Sequence, residues 1–73
     1  MRLITDSVLE GEFEGWDGDT IFQFVNGEKW QQSSYDYYYN YSYRPKVKVL
    51  EDNGNYLLEV EGIEKKLPVR KIS

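Results

Sequence analysis

Neither cysteine nor histidine occurs in this chain of 73 residues. Disulfides and zinc, the usual supports of very small domains, are thereby excluded, and burial of aromatic and β-branched side chains has to stabilise the fold. The same absences remove the common nucleophilic arrangements. Ser7, Ser33, Ser34, Ser42 and Ser73 have no imidazole to activate them, and there is no thiol. No stretch approaches the roughly 20 apolar residues of a membrane span, and Met1-Arg2-Leu3-Ile4-Thr5-Asp6 lacks the apolar core of a secretory signal. We expect a soluble, cytoplasmic protein, and the lack of cysteine fits a reducing compartment. The glycines stand singly, so there is no glycine-rich phosphate loop. No repeat or linker divides the chain, and residues 1–73 read as a single domain near the lower size limit for a hydrophobic core.

The formal charge of −4 is unevenly spread. Residues 1–36 carry two basic and eight acidic side chains, net −6, whereas residues 37–73 carry seven basic and five acidic, net +2. An acidic total argues against general affinity for duplex DNA or anionic membranes, whose binding needs clustered Lys and Arg. Glu10, Glu12, Glu14, Asp17 and Asp19 gather carboxylates in one region. Glutamates two apart on a strand form an ordinary solvated face, however, and Lys46, Lys48, Lys65 or Lys66 could lie opposite them. Asp17-Gly18-Asp19 is too short for a calcium loop. Paired acids of the glycosidase kind need a cleft that so small a chain can hardly enclose beside its core. No metal, cofactor or catalytic residue is expected, and the protein reads as a non-enzyme.

Periodicity points to strands throughout. In Val8–Glu14, Leu9, Gly11 and Phe13 alternate with Glu10, Glu12 and Glu14. Gly15–Asp19 is a turn, Thr20–Val25 resumes as a strand, and Asn26-Gly27 sends Glu28–Ser33 back antiparallel, completing a three-stranded meander. Arg44-Pro45 marks a break. Lys46–Leu50 and Tyr56–Glu61 form a second hairpin across Asp52–Asn55, Gly62–Glu64 is a short turn, and Lys66–Ile72 is a last strand. No window holds apolar residues at i, i+3, i+4 and i+7. The expectation is all-β: a small SH3-like barrel of five to six short antiparallel strands, with an OB-like barrel as the alternative if the tyrosine segment supplies a helix.

That segment, Tyr35-Asp36-Tyr37-Tyr38-Tyr39-Asn40-Tyr41-Ser42-Tyr43, holds six of the seven tyrosines. If it is extended, Tyr35, Tyr37, Tyr39, Tyr41 and Tyr43 share one face; a helical turn would instead group Tyr35 with Tyr39 and Tyr43. Such a row is either a wall of the core or a recognition surface. Six rings will not all fit beside Phe13, Phe22, Phe24 and Trp30, so some should be exposed. Trp30 reads as core, its indole N–H on a backbone acceptor. Trp16, in a turn, either plugs an open end of the barrel or joins the tyrosines in a ligand groove.

The run Gly11–Thr20, together with Trp30-Gln31-Gln32, the tyrosine segment and Arg44-Pro45-Lys46-Val47, resembles a family of small bacterial domains of unestablished function, over residues 8–72. The resemblance implies a small β-barrel and no catalytic residue. Tyr35, Tyr37, Tyr39, Tyr41 and Tyr43, with Trp16, Arg44 and Lys46, are the candidate binding residues. The first expected function is a protein-interaction module taking an extended or proline-rich peptide or a partner surface. The second is single-stranded nucleic-acid binding, bases stacking on the rings and Arg44, Lys46, Lys48 and Arg70 meeting phosphates. The third is a symmetric homodimer closed by the tyrosines.

Overall fold

The computed structural model describes residues 1–73 and is all-β, with no helix. Eight strands follow in order: β1 Arg2–Val8, β2 Glu12–Phe13, β3 Ile21–Gln23, β4 Lys29–Gln32, β5 Ser42–Tyr43, β6 Lys46–Asp52, β7 Asn55–Val60 and β8 Leu67–Lys71. Six form one antiparallel sheet in the order β1-β6-β7-β8-β4-β3, and β2 pairs with β5 in a separate two-stranded ladder. The large sheet is not closed. A single bridge, Leu9 to Phe24, joins its edges; beside it the Glu10 amide donates to the Gln23 carbonyl and the Val25 amide to the Val8 carbonyl.

The core is where alternation places it. Val47 and Val49 on β6, Leu58 and Val60 on β7, and Leu67 and Val69 on β8 point inward, while Lys46 and Lys48 face solvent. Inward Leu9, Phe13, Trp16, Phe22, Phe24, Trp30 and Ile63 complete the same cluster. Both predicted hairpins are present. At the first, the Phe24 amide bonds to the Glu28 carbonyl across a three-residue loop, with Gly27 at φ +94°, the geometry of a type I turn closed by a glycine bulge. At the second, Asn53 and Gly54 take φ of +53° and +85° between the paired Asp52 and Asn55, as a two-residue primed turn demands.

Three expectations are corrected. β1 is a full strand on β6, although periodicity assigns nothing to Arg2–Ser7. It is an edge strand with Leu3 and Ile4 both exposed, so no buried face imprints an alternation. Second, Val8–Glu14 is not one strand of a meander. Its faces are as predicted, with Leu9 and Phe13 buried and all three glutamates exposed, but Gly11, at φ +81°, turns the chain out of the β3 seam so that Glu12 and Phe13 pair with Tyr43 and Ser42. Third, the Trp30 indole N–H donates to Glu28 Oε1 at 3.0 Å rather than to the backbone.

Candidate functional site

Residues 33–41 connect β4 to β5 as a nine-residue loop without helix, held in shape from beneath by four contacts. The first is Gln32, the one buried polar side chain beside the core cluster. Its Nε2 donates to the carbonyls of Ser34 and Asp36, each at 3.0 Å, and its Oε1 accepts from the Thr20 amide at 3.4 Å. One amide group thus ties the first arm of the loop to the residue that precedes β3. The second is a two-way backbone bridge: the Trp16 amide donates to the Tyr38 carbonyl at 2.9 Å and the Tyr38 amide to the Trp16 carbonyl at 3.0 Å.

Gly15 is what allows that bridge. It is buried at φ +100°, and a Cβ there would stand 1.9 Å from the Tyr38 carbonyl oxygen. Only glycine tolerates both the dihedral and the approach. The third contact is aromatic, the Tyr38 ring stacking on Trp16 with centroids 5.2 Å apart and planes 27° from parallel. The fourth is Asp36. Its Oδ2 accepts from Trp16 Nε1 at 2.7 Å, and its Oδ1 pairs with Lys65 Nζ at 2.9 Å. Lys65, and after it the Trp16 indole, hold the Asp36 carboxyl below its ordinary value, while desolvation opposes them.

The outcome separates the tyrosines. Tyr35, Tyr37, Tyr39, Tyr41 and Tyr43 are all exposed, from 53% for Tyr41 to 80% for Tyr35, whereas Tyr38, the ring off the alternation, packs against the core cluster. The row is therefore not a wall of the core. Trp16 is 3% exposed and belongs to the core; it supports the loop as a plug does and is not a free ring beside the tyrosines. Arg44, at φ +48°, and Lys46 are exposed just beyond β5. The ion pairs are Arg2–Glu51, Lys65–Asp36 and Lys66–Glu59, so the predicted pairing of lysines with Glu10, Glu12 and Glu14 is not formed. No group of three or more carboxylates is arranged to hold a metal.

Beside the loop runs an open groove of about 480 Å³ between the β2 segment and β3. Glu10, Glu12 and Glu14 line one side, Ile21 and Gln23 the other, and Tyr37 and Tyr39 reach it from the tyrosine loop. Sequence reading found the tyrosines but not Gln32 or Asp36, whose roles depend on backbone groups brought together only by folding. No helix is long and apolar enough to cross a membrane. No family model, characterised protein or solved structure gives a significant match to the chain.

Proposed function

We propose that this is a non-catalytic protein-interaction module, a small SH3-like barrel in kind, whose tyrosine loop offers an aromatic surface to an extended polypeptide segment. The observation that carries the reading is the exposure of five neighbouring tyrosines, four of them on a loop whose backbone is tied down by Gln32, Trp16 and Asp36 and the fifth, Tyr43, on β5. Tyrosine contributes large contact area with two side-chain torsions to freeze, and a held loop lowers the ordering cost of binding. Exposed rings in such number carry an aggregation liability that a partner would remove.

Arg44, Lys46 and Lys48 have no carboxylate within ion-pair distance and favour single-stranded nucleic acid as the second reading. Against it, Tyr37 and Tyr39 share their groove with Glu10, Glu12 and Glu14, which repel phosphate. The test is titration of labelled protein with a proline-rich peptide pool and, separately, with an oligonucleotide pool, using the wild type and Tyr37→Ala plus Tyr41→Ala. Peptide-induced amide shifts within residues 35–48, lost in the double variant, are expected. Response to oligonucleotides alone, falling steeply with salt, would replace the reading by the second. Shifts that depend on protein concentration without any ligand would replace it by homodimerisation.

A further inference from the structure

The groove between β2 and β3 is a parted seam. At Leu9–Phe24 the chain leaving β1 runs antiparallel to the end of β3, and continuing that register would set Glu12 beside Ile21. The turn at Gly11 carries β2 away to β5 instead. In the β3–β4 ladder the bonded pairs are Phe24 with Glu28 and Thr20 with Gln32. By the alternation of an antiparallel ladder Phe22 bonds inward to Trp30, and the backbone groups of Ile21 and Gln23 point away from β4, toward the groove. Of these only the Gln23 carbonyl has a backbone partner, the Glu10 amide. An edge of this kind is a template for another strand.

We propose that this seam takes an extended segment of another protein as a strand added to β3, with apolar and basic side chains alternating along it. Beneath the groove lie the rings of Phe13, Phe22 and Trp16, with Phe13 centred 6.4 Å from Phe22 and 6.2 Å from Trp16. Side chains of the added strand on that face lie over these rings, which are themselves buried in the core, and beside the exposed Ile21. On its other side Glu10, Glu12 and Glu14, none of them in an ion pair, supply negative charge where an acidic or neutral segment gains nothing. Main-chain bonds give such docking its affinity, and the alternate side chains give its specificity. Proline-rich ligands, lacking amide donors, do not meet this requirement. The inference deepens the interaction-module reading, sharing Tyr37 and Tyr39 with it, and leaves Tyr35, Tyr41 and Tyr43 outside the seam.

The experiment is amide-resolved NMR of the full chain with an eight-residue peptide alternating Val and Lys, and with its counterpart alternating Val and Glu. The Val/Lys peptide should shift the amides of Glu12, Ile21 and Gln23 and slow hydrogen exchange at Ile21 and Gln23, while the Val/Glu peptide should do neither. Glu10→Lys plus Glu12→Lys replaces two exposed side chains, so its spectrum should stay folded while its affinity for Val/Lys drops roughly tenfold or more. Equal binding of the two peptides, shifts confined to residues 35–43, or no binding of Val/Lys would overturn the proposal. If the tyrosine amides then still respond to the proline-rich pool, the module reading stands without the seam; if they do not, both fall.

Discussion

At the residue scale, Gly15, Gln32 and Asp36 decide the shape of the site. Gly15→Ala places a methyl group on the Tyr38 carbonyl and strains a left-handed backbone. It should cost about 2–4 kcal/mol in denaturant unfolding and move the Tyr38 amide signal first. Gln32→Leu keeps the volume but strips the Ser34 and Asp36 carbonyls of their buried donor. A loss of about 1–3 kcal/mol is expected, with faster hydrogen exchange across residues 33–38. Asp36 gives the site a pH dependence whose sign is fixed. Its native pKa lies below the ordinary 3.8 because Lys65 and Trp16 favour the carboxylate. Between the lowered value and 3.8 the unfolded chain binds more protons than the native one. The contribution is therefore complete above the ordinary value and is lost as pH falls through the native one. The Trp16 indole N–H resonance should hold its position near neutral pH and move only below about pH 4, and Asp36→Asn should abolish that movement.

At the scale of elements, β6, β7 and β8 were legible because each has one buried face, and period-two alternation records it in Val47/Val49, Leu58/Val60 and Leu67/Val69. The hairpins were legible because Asn26-Gly27 and Asn53-Gly54 have few other uses between such runs. β1 was not, since ladder bonds to β6 rather than burial define it. β2 was read with the right faces and the wrong neighbour, because alternation reports which side is buried and not which strand lies alongside. The split between five outward rings and inward Tyr38 was legible only in part. Odd-numbered spacing put the five on one side, but that this side is solvent follows from the Trp16–Tyr38 bridge, a contact 22 positions apart in the chain. If those rings are surface and not core, Tyr37→Ala plus Tyr41→Ala should change unfolding free energy by about 0.5 kcal/mol or less per site. Tyr38→Ala, which removes the Trp16 stack, should cost about 1–3 kcal/mol.

At the scale of the whole molecule, folding brings the two differently charged halves of the chain side by side: Glu12 pairs with Tyr43, and the Arg44 amide donates to the Gly11 carbonyl. Glu10, Glu12 and Glu14 line the groove that Tyr37 and Tyr39 reach, and Arg44 follows β5 with Lys46 and Lys48 next on β6. Acidic and basic groups thus flank the same β2–β5 ladder, an arrangement that bears on a partner's orientation more than on its affinity. With no cysteine to form a disulfide, the platform depends on a core of thirteen buried apolar residues, and Trp16 belongs both to that core and to the loop's support. Stability and site shape are thus coupled. The most direct test of this account is ¹⁵N relaxation of the free protein at residues 33–41. We predict order parameters of about 0.8 or above at Asp36, Tyr37 and Tyr38, close to those of β6 and β7. Values below about 0.6 through the loop, with rigid strands on either side, would contradict a tyrosine surface held ready before binding.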